Sequence, residues 1–156
     1  MKSLRRVAST LVATSLAIAG LAGSSSAAST ASVVVPPGQA GHTCSGYHHV
    51  TPQHYWQTCT WADHQYVWFT VNFGNTDTLW WRPSWTQVDY IKSGVKKDCG
   101  AARWEGEIEI QPNSVMSTPR LACVITRVPG AYASRSEVHQ DTFDYTAMNS
   151  PTLQVQ

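Results

Sequence analysis

Five of the six histidines, His42, His48, His49, His54 and His64, fall within 23 residues of one another. Imidazole is a common ligand for zinc and copper, so His48 and His49 with His54 have the composition of a metal site. No two cysteines show the close spacing of a zinc site. The simpler reading is a polar loop around Cys44 and Cys59, and no metal and no cofactor is expected. A second set is Glu105, Glu107 and Glu109 in "RWEGEIEI". On a strand they share one face, each about 6.5–7 Å from the next. That is within the range of a glycosidase carboxylate pair. Glutamates alternating with Ile108 and Ile110 also describe a solvated outer face, which is the expectation here. For nucleophilic catalysis there is no G-x-S-x-G motif and, once the cysteines pair, no free thiol. Asp63 and His64 are adjacent and point to opposite faces of a strand. No catalytic residue is assigned, and no enzyme is expected.

Adhesion is better represented than catalysis. Six of the seven tryptophans, Trp56, Trp61, Trp68, Trp80, Trp81 and Trp85, lie in a 30-residue stretch. A domain this small cannot bury them all, and the segment "LWWRPSWTQ" is the expected place of exposure. Tryptophan beside arginine supplies a large contact area at low entropic cost. Trp80, Trp81, Arg82 and Trp85 are therefore the expected partner-binding residues. Sugar-binding modules use exposed tryptophans in the same way, so carbohydrate is a second expected ligand class.

The elements that must position these groups read as β. Residues 65–73, "QYVWFTVNF", place Val67, Phe69, Val71 and Phe73 on one face, and Tyr66, Trp68, Thr70 and Asn72 on the other. The turn "GNTD" follows. "TLWW" starts a return strand that Pro83 ends or pushes to an edge. "RWEGEIEI", 103–110, is the cleanest alternation in the chain. "LACVITRV", 121–128, is apolar on both faces, as a central strand is, and "VPGAYAS" then turns. "VDYIKSGVKKDC" reads equally as a strand or one short helix. "TFDYTAM" and "TLQVQ" are weaker strands. The expected fold is all-β: a small antiparallel sandwich or barrel.

The N-terminus sets the compartment. Lys2, Arg5 and Arg6 precede an apolar run of about residues 7–22, and Ser26-Ala27-Ala28 suits signal peptidase. Residues 1–28 are the expected signal peptide and the protein is expected to be secreted. Cleavage after Ala28 leaves 128 of 156 residues, enough for one domain. Three of the 11 basic residues leave with the signal, so eight bases then face ten acids. That balance disfavours nucleic acid as a partner, and no mature segment is apolar enough to span a bilayer. Cys44, Cys59, Cys99 and Cys123 form an even set in an exported chain, which predicts two disulfides. Sequential pairing, Cys44–Cys59 and Cys99–Cys123, is preferred, each bridge contributing about 3 kcal/mol.

Between signal and first cysteine lies "STASVVVPPGQAGHTC". Val33, Val34 and Val35 form strands readily, and Pro36 and Pro37 stop one. Residues 29–43 read as an extended arm ahead of a stapled domain at 44–156. The arm's partner-binding residues are Val33, Val34, Val35 and Pro36, adding to another protein's sheet or groove. The alternative is that the valines are the domain's own first strand. In architecture the mature chain resembles the adaptor subunit of the Streptomyces umbrella toxin particles. The resemblance implies two secreted partners, a lectin-like subunit and a repeat-bearing toxin subunit. It also implies that residues 32–38 engage the repeat ring, with the killing activity on another subunit. The expected function is a secreted, non-catalytic adaptor in an extracellular complex. The alternatives are a carbohydrate-binding protein or an enzyme inhibitor presenting "RVPGAYASR". A small hydrolase using the glutamates ranks behind these.

Overall fold

The computed structural model describes residues 32–140 and 145–156. The expected signal peptide and positions 29–31 lie outside the described residues. The strands are β1 Val33–Val35, β2 Gly41–Cys44, β3 His48–His49, β4 His54–Ala62, β5 Tyr66–Asn75, β6 Trp85–Lys92 and β7 Val95–Lys97. They continue with β8 Arg103–Trp104, β9 Ser114–Ser117, β10 Val124–Thr126, β11 Gly130–His139, β12 Tyr145–Asn149 and β13 Leu153–Val155. One sheet, A, runs β1-β13-β11-β6-β7, with β12 beside β11 and β8 beside β6. The other, B, runs β10-β5-β4-β2, with β3 beside β4 and β9 beside β5. Each sheet thus has one long central pair flanked by short, interrupted strands. The sheets form a sandwich, not a closed barrel. Both expected disulfides are present, Cys44–Cys59 and Cys99–Cys123. No helix among the described residues is long and apolar enough to cross a membrane.

The alternation in β5 does what its pattern predicts. Val67, Phe69, Val71 and Phe73 are all buried between the sheets. Each such side chain contributes about 1.5–3 kcal/mol relative to exposure. Trp56 of β4 and Tyr132, Val88 and Val138 of sheet A meet them from the sides and from across. The centre of the sandwich also holds hydroxyls. Thr58 Oγ1 of β4 donates to Ser134 Oγ of β11 at 2.6 Å and lies 2.6 Å from Ser136 Oγ. Thr60 Oγ1 lies 2.8 Å from Ser150 Oγ and accepts the Ser134 N–H. Buried hydroxyls cost free energy unless paired. Pairing across the gap ties one sheet to the other in a single register.

Three local expectations give way to tertiary context, and one left open is resolved. In "RWEGEIEI" only Arg103–Trp104 is a strand. Gly106 takes φ +72°, which breaks the extended path, and Ile110 reaches only an isolated bridge to Trp81. "LACVITRV" is no central strand. It begins with a turn of 3₁₀ helix, Arg120–Ala122, and leaves β10 as a three-residue edge beside β5. The "VPGAYAS" turn is instead the start of β11, a central strand of sheet A. Its inward positions are filled by Tyr132, Ser134 and Ser136, so apolar periodicity understates it. Only the first part of "RVPGAYASR" is exposed, because Tyr132, Ala133 and Ser134 are buried in β11. "VDYIKSGVKKDC" resolves into strand: β6 turns at Ser93-Gly94 into β7.

The extended arm is the domain's own corner. β1 lies parallel to β13, Val33 opposite Leu153 and Val35 opposite Val155. Val35 is 1% exposed in the core, while Val33 and Val34 face out. Pro36-Pro37-Gly38-Gln39 is then a tight turn, with Gln39 N–H donating to the Pro36 carbonyl and Gly38 at φ +71°. It carries the chain from sheet A to β2 in sheet B. Gly41 packs so tightly on Val35 that a β-carbon would sit 2.6 Å from Val35 Cγ2. The Arg127 guanidinium closes the corner by donating to the carbonyls of Val35, Pro36, Gln39, Asp63 and Gln156. The domain therefore includes residues 33–43, and the arm's strand formers are consumed by its own sheet.

Candidate functional site

Alternation along β4 sends Trp56, Thr58, Thr60 and Ala62 inward and Tyr55, Gln57, Cys59 and Trp61 outward. On β5 the outward set is Trp68, Thr70 and Asn72, ending at Gly74. The outer face of sheet B is therefore aromatic and amide-rich, and β9 and the loop at Tyr47 raise walls beside it. The result is a pocket of about 390 Å³ lined by Tyr47, Tyr55, Gln57, Trp61, Asn72, Phe73, Val115, Met116 and Ser117. Pockets of this size, apolar-walled with a few convergent polar groups, are the usual form of a ligand site.

Each wall has a physical reason for its position. The Tyr55 ring lies across Gly74, where a β-carbon would fall 2.1 Å from Tyr55 Cζ. Only a glycine at 74 leaves that space. Tyr47 meets Tyr55 edge-on with centroids 5.1 Å apart, and His49 packs against Tyr55 at 5.4 Å. At the other end, four planar groups stand in a row across the strands. His42 stacks on Trp61 at 4.4 Å, and Trp61 lies parallel to Trp68 at 6.3 Å. The Arg120 guanidinium covers Trp68 at 3.7 Å, a cation–π contact. Trp61 Nε1 donates to Thr70 Oγ1 at 3.0 Å, which fixes the ring. The Cys44–Cys59 bridge pins β2 to β4 on this same face, Cys44 directly opposite Cys59.

The polar groups divide into two kinds. Asn72 is fully engaged, with Oδ1 accepting from Ser117 Oγ at 2.7 Å and from Thr70 Oγ1 at 3.4 Å. Its amide nitrogen reaches Cys59 Sγ. By contrast, among the described residues the Gln57 carboxamide and the Tyr47 and Tyr55 hydroxyls have no hydrogen-bond partner. They present donors and acceptors to whatever enters. Among the described residues the lining carries no carboxylate, imidazole or thiol.

The residues expected from the sequence scatter. Trp81 is 2% exposed and belongs to the core. It exchanges two backbone hydrogen bonds with Ile110, stacks on His54 at 4.8 Å and meets Phe73 edge-on. Trp80, its neighbour, points out at 52% exposure beside Leu79. Arg82 is exposed and paired with Glu109 at 2.8 Å. Trp85 is half-buried on β6, near His139. Four residues close in sequence thus do not share one surface, since Trp80 and Trp81 face opposite ways. Val33, Val34 and Pro36 sit at the far corner. Glu105, Glu107 and Glu109 are all exposed. His48, His49 and His54 do not converge, and among the described residues no three His, Cys, Asp or Glu side chains are placed to hold a metal. Tyr47, Gln57 and Val115 are pocket residues that apolar patterning passes over. The usable signal was the outward half of "HYWQTCTWA", where Tyr55, Gln57 and Trp61 recur two or four apart.

Asp63 anchors the adjacent β4–β5 turn. Its Oδ1 accepts the Gln65 and Tyr66 N–H groups at 2.8 and 2.7 Å, and its Oδ2 holds Arg120 at 2.7 Å. Burial works to raise this carboxyl. The two N–H groups, Arg120 and His64 outweigh it, so its pKa lies below the ordinary carboxylate range. The same arginine is thereby held over Trp68.

No protein-family model matches the chain, and neither a curated protein nor a solved structure matches it, so the geometry of this face stands by itself.

Proposed function

We propose that this is a secreted, non-catalytic binding protein whose outer β4–β5 face takes a saccharide. The single observation that carries the reading is the unpartnered Gln57 carboxamide and the two tyrosine hydroxyls, set among aromatic walls in the pocket. Sugars present hydroxyls at their edges and C–H groups on their faces, so they match a site that alternates amide, phenol and ring. Among the described residues the pocket is lined by no pair of carboxylates, which supports binding over glycoside hydrolysis. Two disulfides in a small all-β domain support an extracellular setting. A glycan array probed with the native protein and with Gln57→Ala tests this. Binding that the substitution weakens at least tenfold is expected. Equal binding by both proteins, or none by either, removes the reading.

A second reading is favoured by the edge of sheet A. Among the described residues β1 ends the sheet with one side unpaired, and Val33 and Val34 are exposed on it. Such an edge accepts a strand from another chain. This supports an adaptor joining secreted proteins, as the likeness to the umbrella toxin adaptor implies, with the exposed Leu79 and Trp80 as a second contact. Affinity purification from the producing cell tests it. Recovery of monomer alone sinks the adaptor.

A further inference from the structure

The pocket does not end at β9. A second cavity of about 290 Å³, lined by Glu109, Gln111, Ser114, Val115 and Met116, lies on the other side of that strand. Val115 and Met116 line both cavities. β9 is therefore a low saddle, and Val115, 78% exposed, is its crest. We infer that the two cavities form one cleft across the strands and that its ligand is a linear oligosaccharide, not a single sugar. The inference rests on the saccharide reading and deepens it.

Register gives the cleft its length. Tyr55 pairs with Gly74, and Gly74 pairs with Val115. Two inter-strand steps therefore separate Tyr55 from the crest, about 10 Å at the usual spacing. Glu109 and Gln111 line the second cavity and not the first.

The chemistry of the far half suits a continuing chain. The Glu109 carboxylate is exposed and pairs with Arg82 at 2.8 Å, and its remaining acceptor lone pairs face solvent. Among the described residues the Gln111 side chain has no hydrogen-bond partner. Its backbone carbonyl accepts from Ser114 Oγ at 2.7 Å, which steadies the loop. Hydroxyls along a sugar chain would meet Gln57 and the tyrosines first, pass a C–H face over Val115, and then donate to Glu109. This arrangement also gives one member of the glutamate row a role in recognition.

The test is a chain-length series by calorimetry, using cello- and chito-oligosaccharides of one to six units. Wild type, Val115→Arg and Glu109→Gln are compared. Val115 and Glu109 are exposed, so thermal melting should show all three proteins equally folded. In at least one series, affinity is expected to rise tenfold or more between one unit and three or four, then level off. Val115→Arg, which blocks the saddle, should remove that rise. Glu109→Gln should lower affinity for the longer chains alone, by about threefold to tenfold. Affinity that is flat with length in the wild type, or a rise that Val115→Arg leaves intact, overturns the cleft and leaves the saccharide pocket standing. Failure of every sugar in both series, together with an empty glycan array, removes the pocket reading and the cleft with it.

Discussion

The N-terminal corner and the outer face of β4–β5 are both built from adhesive residues, but they treat their polar groups in opposite ways. At the corner, Arg127 donates to five carbonyls drawn from β1, its turn, the β4–β5 turn and Gln156. Val35 is sealed beneath Gly41. On the outer face, among the described residues, the Gln57, Tyr47 and Tyr55 side chains make no hydrogen bond within the protein. A segment whose polar groups are all satisfied internally is structure. A concave surface that leaves them open to solvent is where a ligand gains most. The valines looked functional because they are strand formers beside a proline stop. Their hydrogen bonds are already spent, apart from β1's outer edge.

The strongest way to break the contrast is to remove residues 29–38. If the corner is structural, this costs the core Val35 and Arg127 two of its five acceptors, those of Val35 and Pro36, about 4 kcal/mol in sum from apolar burial and charge-assisted hydrogen bonds. That is a large share of a small domain's stability. Urea unfolding measures it, and unchanged stability would restore the free arm. Next is Arg127→Ala, with an expected loss of about 2 kcal/mol in the same measurement. Saccharide affinity per folded molecule should not change, because Arg127 lies outside the pocket. The converse variant is Gln57→Ala. It should weaken binding about tenfold, equal to about 1.4 kcal/mol, and leave the melting temperature within a degree or two. A comparable fall in stability would place Gln57 with the corner.

The smallest expected effect concerns Asp63, which touches both regions. Its carboxyl is held below the ordinary range in the folded protein by the turn N–H groups, Arg120 and His64, against the raising effect of burial. The folded form therefore binds this proton less readily than the unfolded one. Its stabilising contribution is complete above the unfolded pKa and is lost as pH falls through the lower, folded value. Asp63→Asn should flatten the acid limb of a stability-versus-pH curve slightly, and should loosen Arg120 from Trp68. A change in tryptophan fluorescence on acidification, present in the native protein and absent in the variant, would report that coupling.

Legibility followed how local each feature is. β5 was readable because four apolar side chains alternate with polar ones over one long strand. The disulfide pairs were readable because sequential cysteines in short β segments fall opposite each other, as Cys44 and Cys59 do. β11 was not, because its inward positions include serines whose partners, Thr58 and Thr60, lie on another sheet. "RWEGEIEI" misled because its period-two pattern is genuine while Gly106 turns the backbone out of line. The pair Trp80-Trp81 misled because identical neighbours carry no sign of which faces in.

Composition and short-range pattern were enough to establish an all-β domain, two disulfides and a surplus of aromatic rings. These follow from side-chain periodicity and cysteine parity, which are properties of the chain itself. Which ring is core and which is wall, and whether the valines are arm or strand, depended on pairings such as Trp81 with Ile110 and β1 with β13. A side chain's face is set by the strand its neighbours find, and those partners lie tens of residues away.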